Sequence, residues 1–200
     1  SLYYFLWRKG KITEEELNSY CQSGSKFIGL AEPIIPSIPF AGGSMCMGIA
    51  AGVGFALAKK LKGEDGKVYV LESDGGLQGG ITWEAAMIAA HHKLDNLVVI
   101  IDNNQFQAMG RVSDILGIES ISNRFGAFKW HPRVVNGHDY EELERAIFAD
   151  TPYDGYKEKP LIIIANTIKG EGVSFMRSNN WWHYKDIDKP TYELALEELS

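Results

Sequence analysis

The sequence has little cysteine, no long apolar run and no excess of positive charge. Only Cys21 and Cys46 occur in 200 residues, which excludes a disulfide-rich scaffold and favours a reducing, cytoplasmic location. The longest apolar stretch, residues 45–58, is shorter than the roughly 20 residues that a membrane-spanning helix needs. Lys and Arg number 20 against 26 Asp and Glu, a net charge of −6. Nucleic acid and anionic membranes are therefore not expected as partners.

The composition is that of an ordinary globular protein. Hydrophobic residues make up 45% and charged residues 23% of the chain, and the length allows one large domain with a sizeable core. No signal peptide is visible, and the chain opens within a predicted helix at residues 2–9. We therefore expect a single domain over residues 1–200 that lacks an upstream segment, with a looser tail over residues 173–200.

Short apolar runs alternate with helical patterns along the chain. The predicted strands cover residues 68–72, 97–102, 134–135 and 161–166. The predicted helices cover residues 13–22, 44–61, 82–93 and 140–149 and a last one starting at Thr191. Thr13 and Glu16 have the spacing of a capping box, and Ser44 and Thr191 are predicted helix caps. This alternation predicts an α/β fold, with a mostly parallel sheet covered by helices on both faces.

Two predicted strands end in oxygen-bearing side chains. Asp74 follows the first strand and Asn104 follows the next, 30 positions later. That spacing fits one βαβ unit, which places the carboxyl ends of two parallel strands side by side. Mg²⁺ prefers such hard oxygen ligands and completes its shell with phosphate and water. Each half alone is better explained as a turn without a ligand; the pair, one crossover apart, favours a cation site. Glycines beside Asp74 allow a diphosphate to approach the backbone.

These residues and their context resemble the transketolase family. Further segments match in the family's order: Leu-Gln at 77–78, Trp-Glu-Ala-Ala-Met at 83–87, Lys-Leu-Asp-Asn-Leu at 93–97, Val-Asn-Gly-His-Asp at 135–139 and Lys-Gly-Glu-Gly-Val-Ser-Phe-Met at 169–176. The resemblance runs from about residue 2 to the end of the chain. It is closest to split bacterial transketolases, in which this domain is a separate N-terminal subunit. It implies the thiamine diphosphate-binding fold.

The resemblance implies a role for each matching residue. Asp74, Asn104 and the backbone carbonyl of Phe106 would ligate Mg²⁺. The residues implied in cofactor binding are Ser73, Asp74, Gly75, Asn104, Phe106 and His183. The catalytic residues would be His183, near the diphosphate and the substrate, and Lys169, which lines the active-site cleft. Glu84 matches an acid that links two active sites across a subunit interface.

Several positions depart from the family. A family histidine near the donor sugar aligns with Leu30, which can neither donate a hydrogen bond nor carry a proton. The family's Gly-Gln-Gly is Cys-Met-Gly at residues 46–48, a glycine is replaced by Ser73, and an acid is replaced by Gly79. A further catalytic histidine of the family falls upstream of residue 1. These changes bear on the identity of the substrate more than on the identity of the cofactor.

The resemblance implies a thiamine diphosphate- and Mg²⁺-dependent enzyme that transfers a two-carbon ketol unit from a ketose to an aldose. The family also needs a glutamate on a pyrimidine-binding domain, and no such domain is found in these 200 residues. A C-terminal partner subunit is therefore expected, with two copies of each chain forming a heterotetramer. One alternative is a non-catalytic or degenerate subunit that binds cofactor or stabilises a complex. A further alternative, another thiamine diphosphate reaction such as ketoacid decarboxylation, fits the segments around Trp83 and Lys169 poorly.

The other histidines have structural interpretations. His91 and His92 are predicted to lie on a helix surface or at an interface, because no third metal ligand stands nearby at a suitable spacing. His138 is expected to serve in capping and packing, because Asp139 begins a helix. No role is assigned to His131.

Overall fold

The computed structural model describes residues 2–148 and 157–200. It has two compact units that divide between Met47 and Gly48. The single domain and the looser tail remain predictions. The predicted helix end at Ala149 lies outside the described residues. In the described part of the chain, no helix combines the length and the apolarity that crossing a bilayer requires.

The first unit holds two short helices, α1 (Leu2–Arg8) and α2 (Glu14–Asn18). The predicted capping box is confirmed: the Glu16 N–H donates to Thr13 Oγ1 at 3.1 Å, and the Thr13 N–H donates to Glu16 Oε2 at 2.9 Å. The helix ends earlier than predicted, and Cys21 then has a left-handed φ of 55° that no helix can contain. The buried apolar residues of this unit are Tyr3, Ile12, Phe27, Ile35 and Ile38.

The second unit is built on strands that carry the candidate site at their ends. In chain order the strands are β1 (Val68–Ser73), β2 (Leu97–Asn103), β3 (Phe106–Gln107), β4 (Gly110–Arg111), β5 (His131–Asn136) and β6 (Leu161–Asn166). Four of them form one parallel sheet in the order β1-β2-β6-β5, and β3 and β4 form a small antiparallel hairpin. The predicted parallel α/β sheet is confirmed.

Helices pack on both faces of this sheet. The helices of this unit are α3 (Met47–Lys62), α4 (Gly80–His91), α5 (Val112–Leu116), α6 (Ile121–Ala127), α7 (Tyr140–Phe148) and α8 (Lys189–Leu199), with 3₁₀ turns at Gly75–Gln78 and Asn180–His183. Those that pack on the sheet include α3, α4 and α6 on one face and α7 on the other. Val99 lies in the core formed with α3, α4 and α6, whereas Val98 packs with α7. Gly52 lets α3 approach the sheet, because a Cβ there would lie 2.3 Å from Val70 Cγ2. On the other face of β1, Leu71 is 75% exposed.

Two local predictions were wrong, and one stretch of secondary structure was missed. Helix α3 begins at Met47 rather than after Ser44, because Cys46 has a left-handed φ of 64°. Helix α8 is capped by Asp188, whose side chain accepts from the Thr191 N–H at 2.9 Å, and not by Thr191. The hairpin β3–β4 and helices α5 and α6 were not predicted; they lie in one stretch of mixed polarity, residues 105–127.

Candidate functional site

The two predicted strand-end residues lie side by side at the carboxyl edge of the sheet. Strands β1 and β2 are parallel neighbours, with Ser73 in register with Asp102. Asp74 follows Ser73 directly, and its N–H donates to the Asp102 carbonyl oxygen at 3.2 Å. Asn104 stands one residue beyond the end of β2. The βαβ argument therefore placed both residues at the correct edge.

Asp74 is a buried carboxylate, only 1% exposed. Its Oδ1 accepts from the Gly75 N–H at 2.7 Å and its Oδ2 from the Gln105 N–H at 2.5 Å. Burial raises the pKa of Asp74 above its ordinary value, the two backbone N–H groups oppose that rise, and the nearby Asp102 charge adds to it. The site thus concentrates negative charge where little water can screen it.

Asn104 is held in a tight turn that leads into the hairpin. Its Oδ1 accepts from the Phe106 N–H at 2.9 Å, and its Nδ2 donates to Asp102 Oδ2 at 3.2 Å. Gln105, between the two, has a left-handed φ of 66°. An L-residue adopts this conformation only where its surroundings enforce it. The turn directs the Gln105 N–H at Asp74.

The donor set at this edge has the chemistry that a hard divalent cation needs. The carboxylate of Asp74, the amide oxygen of Asn104 and the Phe106 carbonyl are all oxygen donors, the type that Mg²⁺ prefers. No cluster of three or more His, Cys, Asp or Glu residues suited to a metal occurs in residues 2–148 and 157–200. A cation here would therefore depend on amide, carbonyl and external ligands in addition to one carboxylate.

Ser73 and Gly75 lie on either side of Asp74. Ser73 Oγ accepts from the Gly76 N–H at 3.1 Å and so closes the turn after β1. Gly75 is buried, and a Cβ on it would lie 3.0 Å from the Gln107 side chain. The turn and the β3–β4 hairpin therefore pack closely.

Lys169 and His183 lie near each other in the segment after β6. Burial lowers the pKa of His183, and the charge of Lys169 lowers it further. The Lys169 carbonyl accepts from the Ser178 N–H at 2.8 Å. Gly170 has a φ of 75°, and a Cβ there would stand 2.4 Å from the Met176 carbonyl oxygen, so only glycine fits.

The turn that carries His183 is attached to the hairpin. Asn180 Nδ2 donates to the Ala108 carbonyl at 3.1 Å, and the Asn180–His183 turn packs beside β3. This places the turn with His183 next to the strand that starts at Phe106. The Oδ1 of Asn180 is buried and has no hydrogen-bond partner within the described chain.

A cleft of about 380 Å³ opens at the same edge of the sheet. Its lining includes Asp74, Gln105, Asn103 and Asn166, with apolar walls from Val112, Ile118, Ile121, Val134 and Ile164. The predicted residues Asn104, Phe106, Lys169 and His183 do not line this cleft. Of the predicted metal ligands, only Asp74 therefore lines this cleft.

The positions that depart from the family lie in different places. Leu30 is in the first unit, is 56% exposed and lies against Gly43. Gly79 precedes helix α4 and provides no side-chain cap. Glu84, which matches the family's acid, is exposed on α4.

Two polar residues at this edge were not identified from the sequence. Asp102, the penultimate residue of β2, bonds to the hydroxyl of Thr167 and to the side-chain amide of Asn104. The available signal was a carboxylate at the end of an otherwise apolar strand. Thr167, just after β6, gave no such signal.

The family comparison matches almost the whole chain. The family model described as transketolase, thiamine diphosphate binding domain, matches residues 1–189. The chain is 36% identical over 200 residues to an apulose-4-phosphate transketolase subunit of Phocaeicola vulgatus, covering 100% of this chain and 70% of that protein. It is 33% identical over 157 residues to the 6-deoxy-6-sulfo-D-fructose transketolase subunit SqwG of a Clostridium species, covering 78% of this chain and 56% of that one.

A solved structure has the same fold. The transketolase of Campylobacter jejuni superimposes with a TM-score of 0.84 at 32% sequence identity, over 92% of this chain. The match spans 30% of that larger chain. The similarity therefore concerns one part of a complete transketolase.

Proposed function

The chain belongs to the transketolase family and carries its thiamine diphosphate-binding domain, and on that premise we propose the function of one subunit of a two-chain enzyme. The subunit binds the diphosphate of thiamine diphosphate through Mg²⁺. The assembled enzyme transfers a two-carbon ketol unit from a ketose donor to an aldose acceptor. The chain is proposed to form a single diphosphate-binding domain, and its proposed location is the cytoplasm.

One observation carries this proposal: the arrangement of Asp74 beside Asn104 at the carboxyl edge of the sheet. The buried Asp74 carboxylate and the turn at Gln105 are joined by a 2.5 Å hydrogen bond. This fixes the carboxylate against the loop that holds the other two proposed ligands, Asn104 and the Phe106 carbonyl. A diphosphate carries the oxygens that Mg²⁺ requires beyond these protein ligands.

The protein residues bind and orient the cofactor and the substrate and screen their charge. When bound, thiamine diphosphate supplies the carbanion chemistry that cleaves the ketose and carries the two-carbon unit. Asp74, Asn104 and Phe106 hold the metal, and Ser73 and Gly75 shape the turn beside the diphosphate. Burial and the charge of Lys169 lower the pKa of His183, which favours its neutral form. The imidazole can then hydrogen-bond to the diphosphate or to a substrate hydroxyl. Lys169 adds positive charge to the same region.

The donor is proposed to differ from the common ketose phosphates. Leu30 stands where the family resemblance implies a histidine near the donor sugar, and an apolar side chain cannot pair with a hydroxyl. The two subunit relatives are named for apulose-4-phosphate and for 6-deoxy-6-sulfo-D-fructose. Their names suggest that separate subunits of this family act on diverse ketoses.

A partner chain with the pyrimidine-binding domain completes the proposed enzyme. Relatives named as subunits support a two-chain assembly, for which two copies of each chain are proposed. The competing function is a non-catalytic or degenerate subunit that binds cofactor or stabilises a complex, and the replacements at Leu30 and Gly79 favour it.

The decisive experiment combines this chain with a pyrimidine-domain subunit from the neighbouring gene. The complex is supplied with thiamine diphosphate and Mg²⁺ and assayed against a panel of phosphorylated, deoxygenated and branched ketoses. Turnover of any donor that requires both chains supports the proposal. Tight cofactor binding without turnover of any donor supports the degenerate subunit. No Mg²⁺-dependent cofactor binding contradicts the proposed enzyme and leaves only a subunit that stabilises a complex.

A further inference from the structure

We propose that Asp102 is a positioning residue that, with Thr167, holds the Asn104 amide with its oxygen available to the metal; this rests on the proposed function. Asp102 forms a hydrogen bond with each of the two residues whose side chains are predicted ligands, Asp74 and Asn104. Its backbone carbonyl accepts from the Asp74 N–H at 3.2 Å, and its carboxylate accepts from Asn104 Nδ2, also at 3.2 Å. No part of Asp102 is needed as a ligand for this role.

The orientation of the Asn104 amide is fixed at both of its ends. A carboxylate cannot donate a hydrogen bond, so Asp102 Oδ2 selects the NH₂ end of the amide. A backbone N–H cannot accept one, so the Phe106 N–H, at 2.9 Å, selects the oxygen end. An amide oxygen has two lone pairs, and the Phe106 N–H uses one. The other lone pair remains for a cation.

Thr167 holds the Asp102 carboxylate in place. The Thr167 hydroxyl donates to Asp102 Oδ1, the oxygen that does not contact Asn104. Thr167 follows β6, and its N–H donates to the Asn103 carbonyl at 3.4 Å. The side chains of Asn103 and Asn166 are also joined, with Nδ2 to Oδ1 at 2.7 Å. The end of β6 therefore fixes the rotamer of Asp102, and Asp102 fixes the amide of Asn104.

This arrangement is the usual one for metal sites in proteins. Partners outside the ligand shell orient the ligands, and their loss typically costs about 10- to 100-fold in metal affinity. If Asn104 rotated its amide, the NH₂ group would point at the cation and would also face the Phe106 N–H. Asp102 prevents this, because only the observed orientation satisfies both neighbours.

The test uses two substitutions at Asp102 and two at Thr167. Asp102→Leu removes the acceptor. Asp102→Asn keeps it, because the new amide can offer its oxygen to Asn104 and its NH₂ to the Thr167 hydroxyl oxygen. Thr167→Val removes the hydroxyl at nearly equal size, and Thr167→Ser restores it. Asp95→Leu, two residues before β2, is the control for the general effect of losing an aspartate.

Two measurements are made on each variant. The first is the ¹⁵N–¹H signal of the Asn104 side-chain NH₂ in the metal-free chain, assigned by its loss in Asn104→Ala. The second is the Mg²⁺-dependent affinity for thiamine diphosphate, measured by calorimetry on the chain combined with its partner. We expect Asp102→Leu to shift the NH₂ signal and to weaken cofactor binding about 10- to 100-fold. We expect Thr167→Val to have a smaller effect in the same direction, and Asp102→Asn, Thr167→Ser and Asp95→Leu to stay near the parent.

The outcomes separate this proposal from the proposed function. Equal cofactor affinity in the parent and in Asp102→Leu overturns the positioning role while leaving the cofactor site intact. Equal losses in Asp102→Asn and Asp102→Leu show that charge acts instead of orientation, which also overturns it. If the parent binds no cofactor, the proposed function fails, and an unshifted Asn104 NH₂ signal in Asp102→Leu then overturns the orientation claim by itself. Should Asp102→Leu not fold, the Thr167→Val and Thr167→Ser pair decides in the same way.

Discussion

The Gln105 N–H donates a 2.5 Å hydrogen bond to Asp74 Oδ2, joining the loops that follow two neighbouring parallel strands. Gln105 itself has a left-handed φ of 66°. The carboxylate is also 1% exposed. The metal-binding chemistry proposed for Asp74 thus depends on the backbone conformation of its neighbour across the sheet.

Removal of the Asp74 carboxylate should abolish Mg²⁺-dependent cofactor binding. Asp74→Ala deletes the only charged ligand proposed for the cation, so the loss should exceed the about 10- to 100-fold that outer-shell changes typically cause. Asn104→Ala should weaken binding less, because an amide oxygen is neutral. Calorimetry with thiamine diphosphate at fixed Mg²⁺ measures both, with Asp65→Ala in the exposed loop before β1 as control. Unchanged affinity in Asp74→Ala would remove Asp74 from the site.

Substitution of Gln105 should reveal the importance of its left-handed backbone. Gln105→Val should lower the free energy of unfolding by about 1–2 kcal/mol, because a β-branched residue is strained at positive φ. Gln105→Gly relieves that strain and should keep both stability and cofactor affinity near the parent. Urea unfolding and calorimetry provide the two readouts. A fully stable Gln105→Val variant would show that the turn relaxes without cost.

Loss of the His183 imidazole should lower activity without unfolding the chain. If the imidazole bonds to the diphosphate or to a substrate hydroxyl, His183→Ala should cost about 1.5–3 kcal/mol, roughly ten- to hundredfold in kcat/KM. His92→Ala, an exposed histidine at the end of α4, is the matched control. Equal turnover in His183→Ala and the parent would make His183 a bystander.

Donor choice should respond to Leu30. We expect poor turnover of common phosphorylated ketoses, because a donor hydroxyl without its partner in a closed site typically costs about 1–3 kcal/mol. Leu30→His should recover part of that activity. Ile34→His, 67% exposed in the same loop, controls for the addition of an imidazole. Ordinary rates of the parent on a common sugar phosphate would show that Leu30 does not occupy the position of the family's histidine.

Stability should fall in acid partly through His131. Burial, together with the charges of Arg133 and Lys159, lowers the pKa of His131 to about 4. An unfolded histidine titrates near 6.5, so the unfolded state takes up the proton first. The contribution of neutral His131 is therefore complete above pH 6.5 and is lost as the pH falls towards 4. Urea unfolding at pH 7 and pH 5 should show a larger loss of stability in the parent than in His131→Gln; equal losses would contradict this origin.

Local sequence signals determined the strands, most helices and the place of the site. The apolar run at residues 97–102 could only be buried, and a strand of that kind alternating with helices requires a parallel sheet. Asp74 and Asn104, one crossover apart, then had to meet at the carboxyl edge. The capping box at Thr13 and Glu16 also followed from spacing alone, because its two hydrogen bonds close within one turn.

Only the tertiary structure decided how the side chains of the candidate site are oriented. The bond from Thr167 to Asp102 joins strands β6 and β2, which are neighbours in the sheet although their residues are 65 positions apart in sequence. The left-handed values at Cys46 and Gln105 likewise had no local signal, because neither residue type favours a positive φ. The sequence by itself determined which oxygens reach the edge, because strand order follows from chain connectivity. Their orientation was settled by contacts between distant segments, because a side chain's hydrogen-bond partners depend on which strands pair.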